Sequence, residues 1–474
     1  MDRHLRDVLR GVRRPQLVWH AGDGVDVIED PQAGRFFPLL ADATRRSADG
    51  LAQWLRARRV GLVHLHQLTS APRGRAEWAC AALEAPLIAT LHDVLFLAPD
   101  AFAGGDRLEE DPRWLAETAR VLRAAKAVLA PSRWLAELAA ARVAGLAVEV
   151  VPNGSAPAQV SPIAPRPEFA RHRPRHVVAL LGALGPHKGS DLVDAIASRL
   201  AGSDIGLVVI GYLDRQLHPG WRVPGELFVH GAYAEGDAPG LLRGYGAGLV
   251  LMPNEAPESF SYALSDAWAA GVPVLAAPRG ALRERIAAHG GGWLLPEHFD
   301  ADGIAAELRA LAGGAREGER ARVQSRLAQP DGARIPPLDA MTRSLDAFYA
   351  RYGIDPAAPQ AAGEDAMASL VATNVDSTLF RKELVRLSDE IAQTLATLAE
   401  TKQRAADFET EARAWIAKLE ADVRAVQAEL AESTRIRGQQ EAEIARLLPH
   451  KEAFDLLPAF LRRILLKLAR DARR

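Results

Sequence analysis

Two carboxylates and a lysine raise the chemical question. Glu258 and Asp266 stand eight positions apart in PESFSYALSDAWAAGVPVL (257–275), directly after the apolar run GLVLMP (248–253). A strand ending there puts Glu258 at its carboxyl end. Ser259, Phe260, Ser261 and Tyr262 then open a helix that runs through Trp268 and stops at Gly271. The first turn of such a helix offers unpaired backbone N–H groups and a partial positive charge, a natural seat for phosphate. Asp266, just over a turn further in, is placed to accept hydrogen bonds from hydroxyls such as those of a ribose. Upstream, LLGALGPHKGSDLVDAI (180–196) reads as strand, glycine-rich turn, lysine and helix. Lys188, set among Gly185, His187 and Gly189, is placed to neutralise a diphosphate with the turn's backbone close by. Taken singly these signals are weak. Acids at this spacing are more often a loop acid and a helix-surface acid, and a lysine in a glycine turn is more often simply exposed.

The elements that must position these residues are legible as short apolar runs. GLVHLHQL (61–68), PLIATLHD (86–93), AVLAPS (127–132), VEVVPNG (148–154), HVVALLG (176–182), IGLVVIG (205–211), GLVLMP and VPVLAAP (272–278) are rich in Val, Ile and Leu and do not alternate with polar residues. Strands buried on both faces read this way, and the Ala/Leu/Arg-rich helical stretches between them make the strands parallel. Open parallel sheets bind ligands at their carboxyl ends. The Pro/Ala-rich stretch 153–176 divides the runs into two groups, so two doubly wound domains are expected, 1–152 and 153–353. Residues 17–40 read as a β-hairpin.

Beyond a linker over 354–379 the character changes. Leu384, Ile391, Leu398, Ala405, Ala412, Leu419, Val426 and Leu447 form one heptad series; Leu395, Ile416, Val423, Leu430 and Ile444 form its partner, interrupted by Lys402, Glu409 and Arg437. This is a coiled-coil signature over 380–448, with Pro449 as its stop; a single long helix folded back on the domains is the alternative. The tail 452–474 reads as a basic amphipathic helix. Leu461, Ile464, Leu465 and Leu468 share one face, beside Arg462, Arg463, Lys467, Arg470, Arg473 and Arg474. That pattern suits an anionic membrane surface or packing on the protein's own helices.

Composition limits the function classes. A net charge of −2 over 474 residues argues against a nucleic-acid grip. The single cysteine, Cys80, excludes an internal disulfide and points to a reducing, cytoplasmic setting. No secretory signal or membrane-spanning run is read. His64 and His66 alternate on one strand and, with His92, raise the question of a metal; no carboxylate–histidine spacing supports one, and none is expected.

In order along residues 60 to 350, PLIATLHD, AVLAPSRWLAE, VVPNGS, GALGPHKG, VVIGYLD and PESFSYALSDAWAAGVPVL together resemble the retaining nucleotide-sugar glycosyltransferases of the GT-B fold, in the large family-four group. The last of these is its E-x7-E motif, present as Glu258-x7-Asp266. The resemblance implies an α/β fold of two Rossmann-like domains facing a crevice. It implies Glu258 beside the donor sugar's anomeric centre, Asp266 on the ribose, Lys188 on the departing diphosphate and His92 reaching the sugar from the N-terminal domain. Gly185, His187, Gly189, Gly211, Ser259, Phe260, Ser261 and Tyr262 are expected to line the donor. Transfer with retention and without a metal or other cofactor is implied; the basic tail adds the expectation of a glycan or lipid-linked glycan acceptor, with the protein peripheral to a membrane. Three departures are visible: Ala183 replaces a usual Arg, Asp266 a Glu, and the N-terminal domain is abbreviated. They leave open a GT-B body kept as a scaffold, or one subunit of a two-component transferase held through the coil, or a homodimer.

Overall fold

The computed structural model describes residues 2–21, 25–40, 48–101, 108–156, 160–312, 315–329, 331–332 and 334–354. Towards the C-terminus it describes 415, 418–419, 421–443, 445–448 and 450–471. The chain forms two compact units, Met1–Ser377 and Thr378–Arg474.

The first unit is α/β and carries three sheets. β8 (His176–Leu184), β9 (Ile205–Leu213), β11 (Leu227–Val229), β12 (Ala247–Met252), β13 (Val274–Ala276) and β14 (Gly292–Leu294) run parallel, and β10 (Gly220–Val223) adds an antiparallel edge. The order is β10-β11-β9-β8-β12-β13-β14. From β8 the chain winds outward through β9 and β11, then returns to β12 on the other side of β8 and winds outward again. The winding therefore reverses between β8 and β12, which makes their carboxyl ends the topological switch point, where open α/β sheets bind ligands. The apolar runs have two faces because both are covered: Ala179, Val208 and Val250 belong to one core, Leu180, Val209 and Leu251 to the other. Gly182 and Gly211 pair across β8 and β9, and a Cβ on Gly211 would lie 2.0 Å from the Gly182 carbonyl oxygen. Gly211 is thus required by close approach of two strands.

The second parallel sheet has the simple order β4-β5-β6-β7, from β4 (Val63–Leu65), β5 (Leu87–Thr90), β6 (Ala127–Ala130) and β7 (Glu149–Val150). One face packs on helices Pro112–Ala124 and Arg133–Arg142. On the other face Ile88, Ala127 and Leu129 meet Val8 and Val12, near the N-terminal helix Asp2–Gly11, and Met341, Leu345 and Tyr349 of the closing helix Leu338–Tyr352. Each fully buried aliphatic side chain there contributes roughly 1.5–3 kcal/mol. The hairpin expected over 17–40 is a three-stranded antiparallel sheet, β1 (Val18–His20), β2 (Val25–Asp30) and β3 (Arg35–Leu40), in the order β1-β2-β3. The short run Val18–His20 finds register against β2 (Val18 opposite Glu29) that its own length does not announce.

Asn153-Gly154 marks the crossing. A Cβ on Gly154 would approach the Leu338 Cα to 2.6 Å, and Ser155 exchanges backbone hydrogen bonds with the segment entering the closing helix. The two sheets are joined further by Glu284, whose carboxylate accepts from the Arg133 and Trp134 N–H groups at the start of helix Arg133–Arg142, an acid on a helix N-terminus.

In the second unit residues 421–443 and 445–448 are helical, and Val423, Val426, Leu430 and Leu447 of the heptad series are exposed on the single chain. Leu384 through Ala412 of the first series, Leu395 and Ile416 of the second, Ile444, Lys402 and Glu409 lie outside the described residues. Residues 450–455 are helical again, so helix lies on both sides of Pro449, itself outside the described residues. A proline that cannot continue one helix suits the first turn of the next. Helix Ala459–Asp471 follows, with Leu461, Ile464, Leu465 and Leu468 exposed. No helix of the described residues is long and apolar enough to cross a membrane.

Candidate functional site

The lysine loop leaves β8 and the Glu258 loop leaves β12, so neighbouring parallel strands deliver both to the switch point. Lys188 closes a 3₁₀ turn, Pro186–Lys188, whose backbone is tied back to the Gly185 carbonyl by the N–H groups of Lys188 (2.9 Å) and Ser190 (3.2 Å). Gly189 follows at φ 75°, and a Cβ there would meet the Pro253 carbonyl oxygen at 2.3 Å. The two loops can approach this closely only with glycine at that position. Ala256 N–H donates to the His187 carbonyl (3.0 Å) and fastens them together. Burial, and after it the neighbouring Lys188 ammonium, lower the His187 imidazole against the opposing pull of Glu258.

Glu258 is fixed from two sides. Its backbone bridges Gly280, and Asn254 Nδ2 donates to its Oε1 at 3.0 Å. Lys188 Nζ lies 3.7 Å from the same oxygen, with the two side chains 31% and 22% exposed. That ion pair is long and open to water, worth at most about 1 kcal/mol. An arriving anion displaces it cheaply.

The motif helix is Tyr262–Ala269, capped by Ser261 Oγ, which accepts from Leu264 N–H. Ser261 itself sits at φ 69°, a strained position for a non-glycine residue. What holds it is Arg285, whose Nη1 donates to the Phe260 and Ser261 carbonyls (2.9 Å each). Its Nη2 donates to Ser265 Oγ (2.8 Å) and the Arg334 carbonyl (2.9 Å). The guanidinium lies 4.1 Å from the Phe260 ring centroid, and its burial pulls its pKa down to about 9. The Phe260 side chain, expected at the donor, is therefore packed in the core. The two serines expected at the donor also have partners within the protein. Ser261 Oγ accepts at the cap, and Ser259 Oγ donates to the His92 carbonyl at 2.5 Å, linking the two sheets' loops.

Asp266 is already engaged. Arg3 of the N-terminal helix gives Nη1 to Oδ2 (2.9 Å) and Nη2 to Oδ1 (3.2 Å), a bidentate pair spanning 263 positions. The same guanidinium lies 4.4 Å from the Tyr262 ring centroid and 3.7 Å from Glu235, which also pairs with Arg6. Burial raises the Asp266 carboxyl and Arg3 opposes that rise. The Tyr262 hydroxyl is buried without a hydrogen-bond partner, and burial raises it above its ordinary value.

Across the crevice four histidines meet at the carboxyl ends of β4 and β5. His64 is satisfied, with Nδ1 2.6 Å from the Tyr349 hydroxyl and Nε2 2.7 Å from Thr90 Oγ1. His66 Nδ1 and His92 Nε2 are 3.0 Å apart, and His4 sets its ring 4.6 Å from that of His92. The His92 ring, expected at the donor sugar, is thus turned into a histidine cluster, with its carbonyl facing Ser259.

The structure therefore brings Lys188, Glu258, Gly185, His187 and Gly189 together and places Asp266, Tyr262 and His92 under the N-terminal helix. Sequence reasoning missed Arg3, His4, Asn254 and Arg285. Only Asn254, directly after a strand run and four residues before Glu258, carried a local signal. A cavity of about 730 Å³ lined by Arg175, His176, Asp204, Ile205 and Arg320 lies at the opposite, amino ends of β8 and β9, away from where such sheets bind ligands.

Residues 7–159 match the family model described as Glycosyltransferase Family 4, and residues 166–325 match Glycosyl transferases group 1. The two matches together span about two thirds of the 474 residues. Among solved structures, Anabaena HepE in complex with UDP and glucose is similar at 20% identity, with 61% of this chain and 78% of that one covered and a TM-score of 0.48. Sucrose-phosphate synthase from Thermosynechococcus elongatus is similar at 16% identity, 66% and 80% coverage and a TM-score of 0.48. A GtfA/B complex is similar at 15% identity, 69% and 65% coverage and a TM-score of 0.44. No curated protein matches the sequence.

Proposed function

The chain belongs to the glycosyltransferases of the GT-B fold, and from that premise we propose that it moves a sugar from a nucleotide-sugar donor to a hydroxyl of a glycan or lipid-linked glycan with retention. The observation that carries this reading is the meeting of Lys188 and Glu258, 3.7 Å apart, at the switch point between β8 and β12. The donor diphosphate lies over Lys188 and the start of helix Tyr262–Ala269. The Lys188 ammonium and the backbone N–H groups there meet the charge that grows as the glycosidic C–O bond breaks, the kind of electrostatic stabilisation that usually dominates such reactions. Glu258, released from Lys188 by the arriving phosphates, turns to the donor sugar. The acceptor oxygen bonds to the anomeric carbon on the face the diphosphate leaves, and the acceptor proton passes to a phosphate oxygen. Products are the glycoside and a nucleoside diphosphate, and no metal is needed on the phosphates. Asp266 takes the ribose hydroxyls once Arg3 gives way. The C-terminal helix Ala459–Asp471 suits peripheral contact with an anionic membrane on the cytoplasmic side, and the heptads suit a homodimer or a partner subunit.

The test is titration of UDP, GDP, ADP and dTDP into the full chain and into Lys188→Ala, followed by nucleotide release from the matching sugar donors. One nucleotide should bind the wild type. In Lys188→Ala turnover should fall on the order of 100-fold or more, as when a single charge-stabilising donor is removed. Binding of none of the four, with no donor turnover, would overturn the reading in favour of a scaffold.

A further inference from the structure

We propose that His4, His66 and His92 form a binding site for one divalent transition-metal ion of the Zn²⁺ class, which staples the N-terminal helix to the ends of β4 and β5. One ring nitrogen from each of these three residues lies within 4.8 Å of those of the other two. Tetrahedral Zn–N bonds of about 2.0–2.1 Å place ligand nitrogens roughly 3.4 Å apart. His66 Nδ1 and His92 Nε2, at 3.0 Å, are already near that spacing. His4 closes the third corner with a side-chain shift of about an ångström.

The environment of His4 points to a ligand. It is buried to 3% exposure, and neither Nδ1 nor Nε2 makes a well-formed hydrogen bond. The Asn153 side chain stands within reach and favours its protonated form, but its buried Oδ1 makes no well-formed hydrogen bond either. Buried imidazoles ordinarily find a partner, because an unpaired polar group away from water costs about 1–3 kcal/mol. Burial lowers His4 to about 4 and holds His66 and His92 well below the ordinary histidine range. Metal binds imidazole in its neutral form, through the free lone pair of one ring nitrogen. Binding requires only a tautomer shift in the ring that donates the His66–His92 hydrogen bond, leaving His66 with its one proton on Nε2 and His92 with its one proton on Nδ1, so that both facing nitrogens are free. His64, two residues from His66 on the same strand, has both nitrogens engaged by Tyr349 and Thr90 and stands outside the set. Three histidines leave a fourth, open position on a tetrahedral ion, for water or an oxygen ligand.

The proposal stands apart from the transfer reading, since metal is measured directly. The full chain, stripped of metal, is titrated with Co²⁺ and Zn²⁺. One equivalent of Co²⁺ should develop the strong visible absorption of a four-coordinate ion, be displaced by Zn²⁺, and slow hydrogen exchange in Asp2–Gly11. His4→Ala and His66→Ala should each weaken Zn²⁺ at least about 100-fold, since loss of a supporting outer-shell partner alone costs 10–100-fold. His20→Ala, at an exposed histidine paired with Glu29, should leave affinity unchanged. His4→Gln, which keeps the side chain's bulk, guards against misfolding and should also lose the metal. No binding, or binding unaltered in both His4 variants, would overturn the site.

Discussion

On the proposed function the ribose goes to Asp266, which Arg3 already occupies, so Arg3→Ala should tighten nucleotide binding. Its two hydrogen bonds to Asp266, at 2.9 and 3.2 Å, are charge-assisted, a class worth about 1.5–3 kcal/mol in place. At that strength Asp266 is free roughly 1–10% of the time, and apparent affinity falls by the same fraction. The side chains are 23% and 14% exposed, which weakens the pair towards the lower bound. The N-terminal helix also remains seated through Val8 and Val12 after the change. The expected gain is therefore about tenfold in Kd, or 1.4 kcal/mol. Calorimetry should compare wild type, Arg3→Ala and Asp266→Asn with the nucleotide that binds the wild type. Losing Arg3 removes what opposes burial and lifts the Asp266 carboxyl further, so the comparison is made at pH 8, on the side that favours ionisation. Equal or weaker binding in Arg3→Ala, alongside a loss in Asp266→Asn, would make Arg3 a ligand of the nucleotide and refute the competition. No effect of Asp266→Asn would remove the ribose from that carboxylate.

Three other perturbations test the frame around the site. Arg285→Met strips the donors from the Phe260, Ser261 and Arg334 carbonyls and Ser265 Oγ. It should cost roughly 3–5 kcal/mol and lower Tm on the order of 10 °C; a Tm within a degree of wild type would deny Arg285 its anchoring role. Gly189→Ala forces a left-handed φ on alanine and drives its Cβ into the Pro253 carbonyl, so calorimetry should record lost nucleotide binding, and unchanged affinity would contradict the close approach of the loops. Burial pushes the Cys80 thiol up to about 11. Raised above the ordinary 8.5, it stays protonated through neutral pH, and alkylation by iodoacetamide at pH 8 should run about 100-fold slower than for a free thiol. A rate like that of free cysteine, read by mass spectrometry, would contradict it.

What the sequence made legible was what each segment declares by itself. Runs such as HVVALLG and IGLVVIG are buried on both faces in the parallel sheet, and their apolar continuity said so. Lys188 and Glu258 were readable because each sits at the end of a strand, and strand ends converge in this topology. Arg3 and His4 were not, for their contacts lie across the unit and an arginine near a chain start has the same local pattern whether paired or solvated. Arg285 lies on a helix, Gly280–His289, whose outline gives no hint that one basic side chain runs inward beneath the motif. The partners of Phe260 and Ser259 were not legible either, because a motif fixes where the backbone goes, while partners from other elements decide which way each side chain faces.

The packing of Val8 and Val12 against Met341, Leu345 and Tyr349 over Ile88, Ala127 and Leu129 has a consequence for synthesis. One face of the N-terminal sheet is roofed by helices from opposite ends of the unit. A ribosome adding 5–20 residues per second needs roughly 10–45 s to travel from Leu129 to Tyr349. Throughout that interval the growing chain holds strands whose roof is half unwritten. Until Tyr349 is made, Ile88, Ala127 and Leu129 have only the N-terminal part of their cover, so this face of the sheet completes its packing after the second sheet has been synthesised.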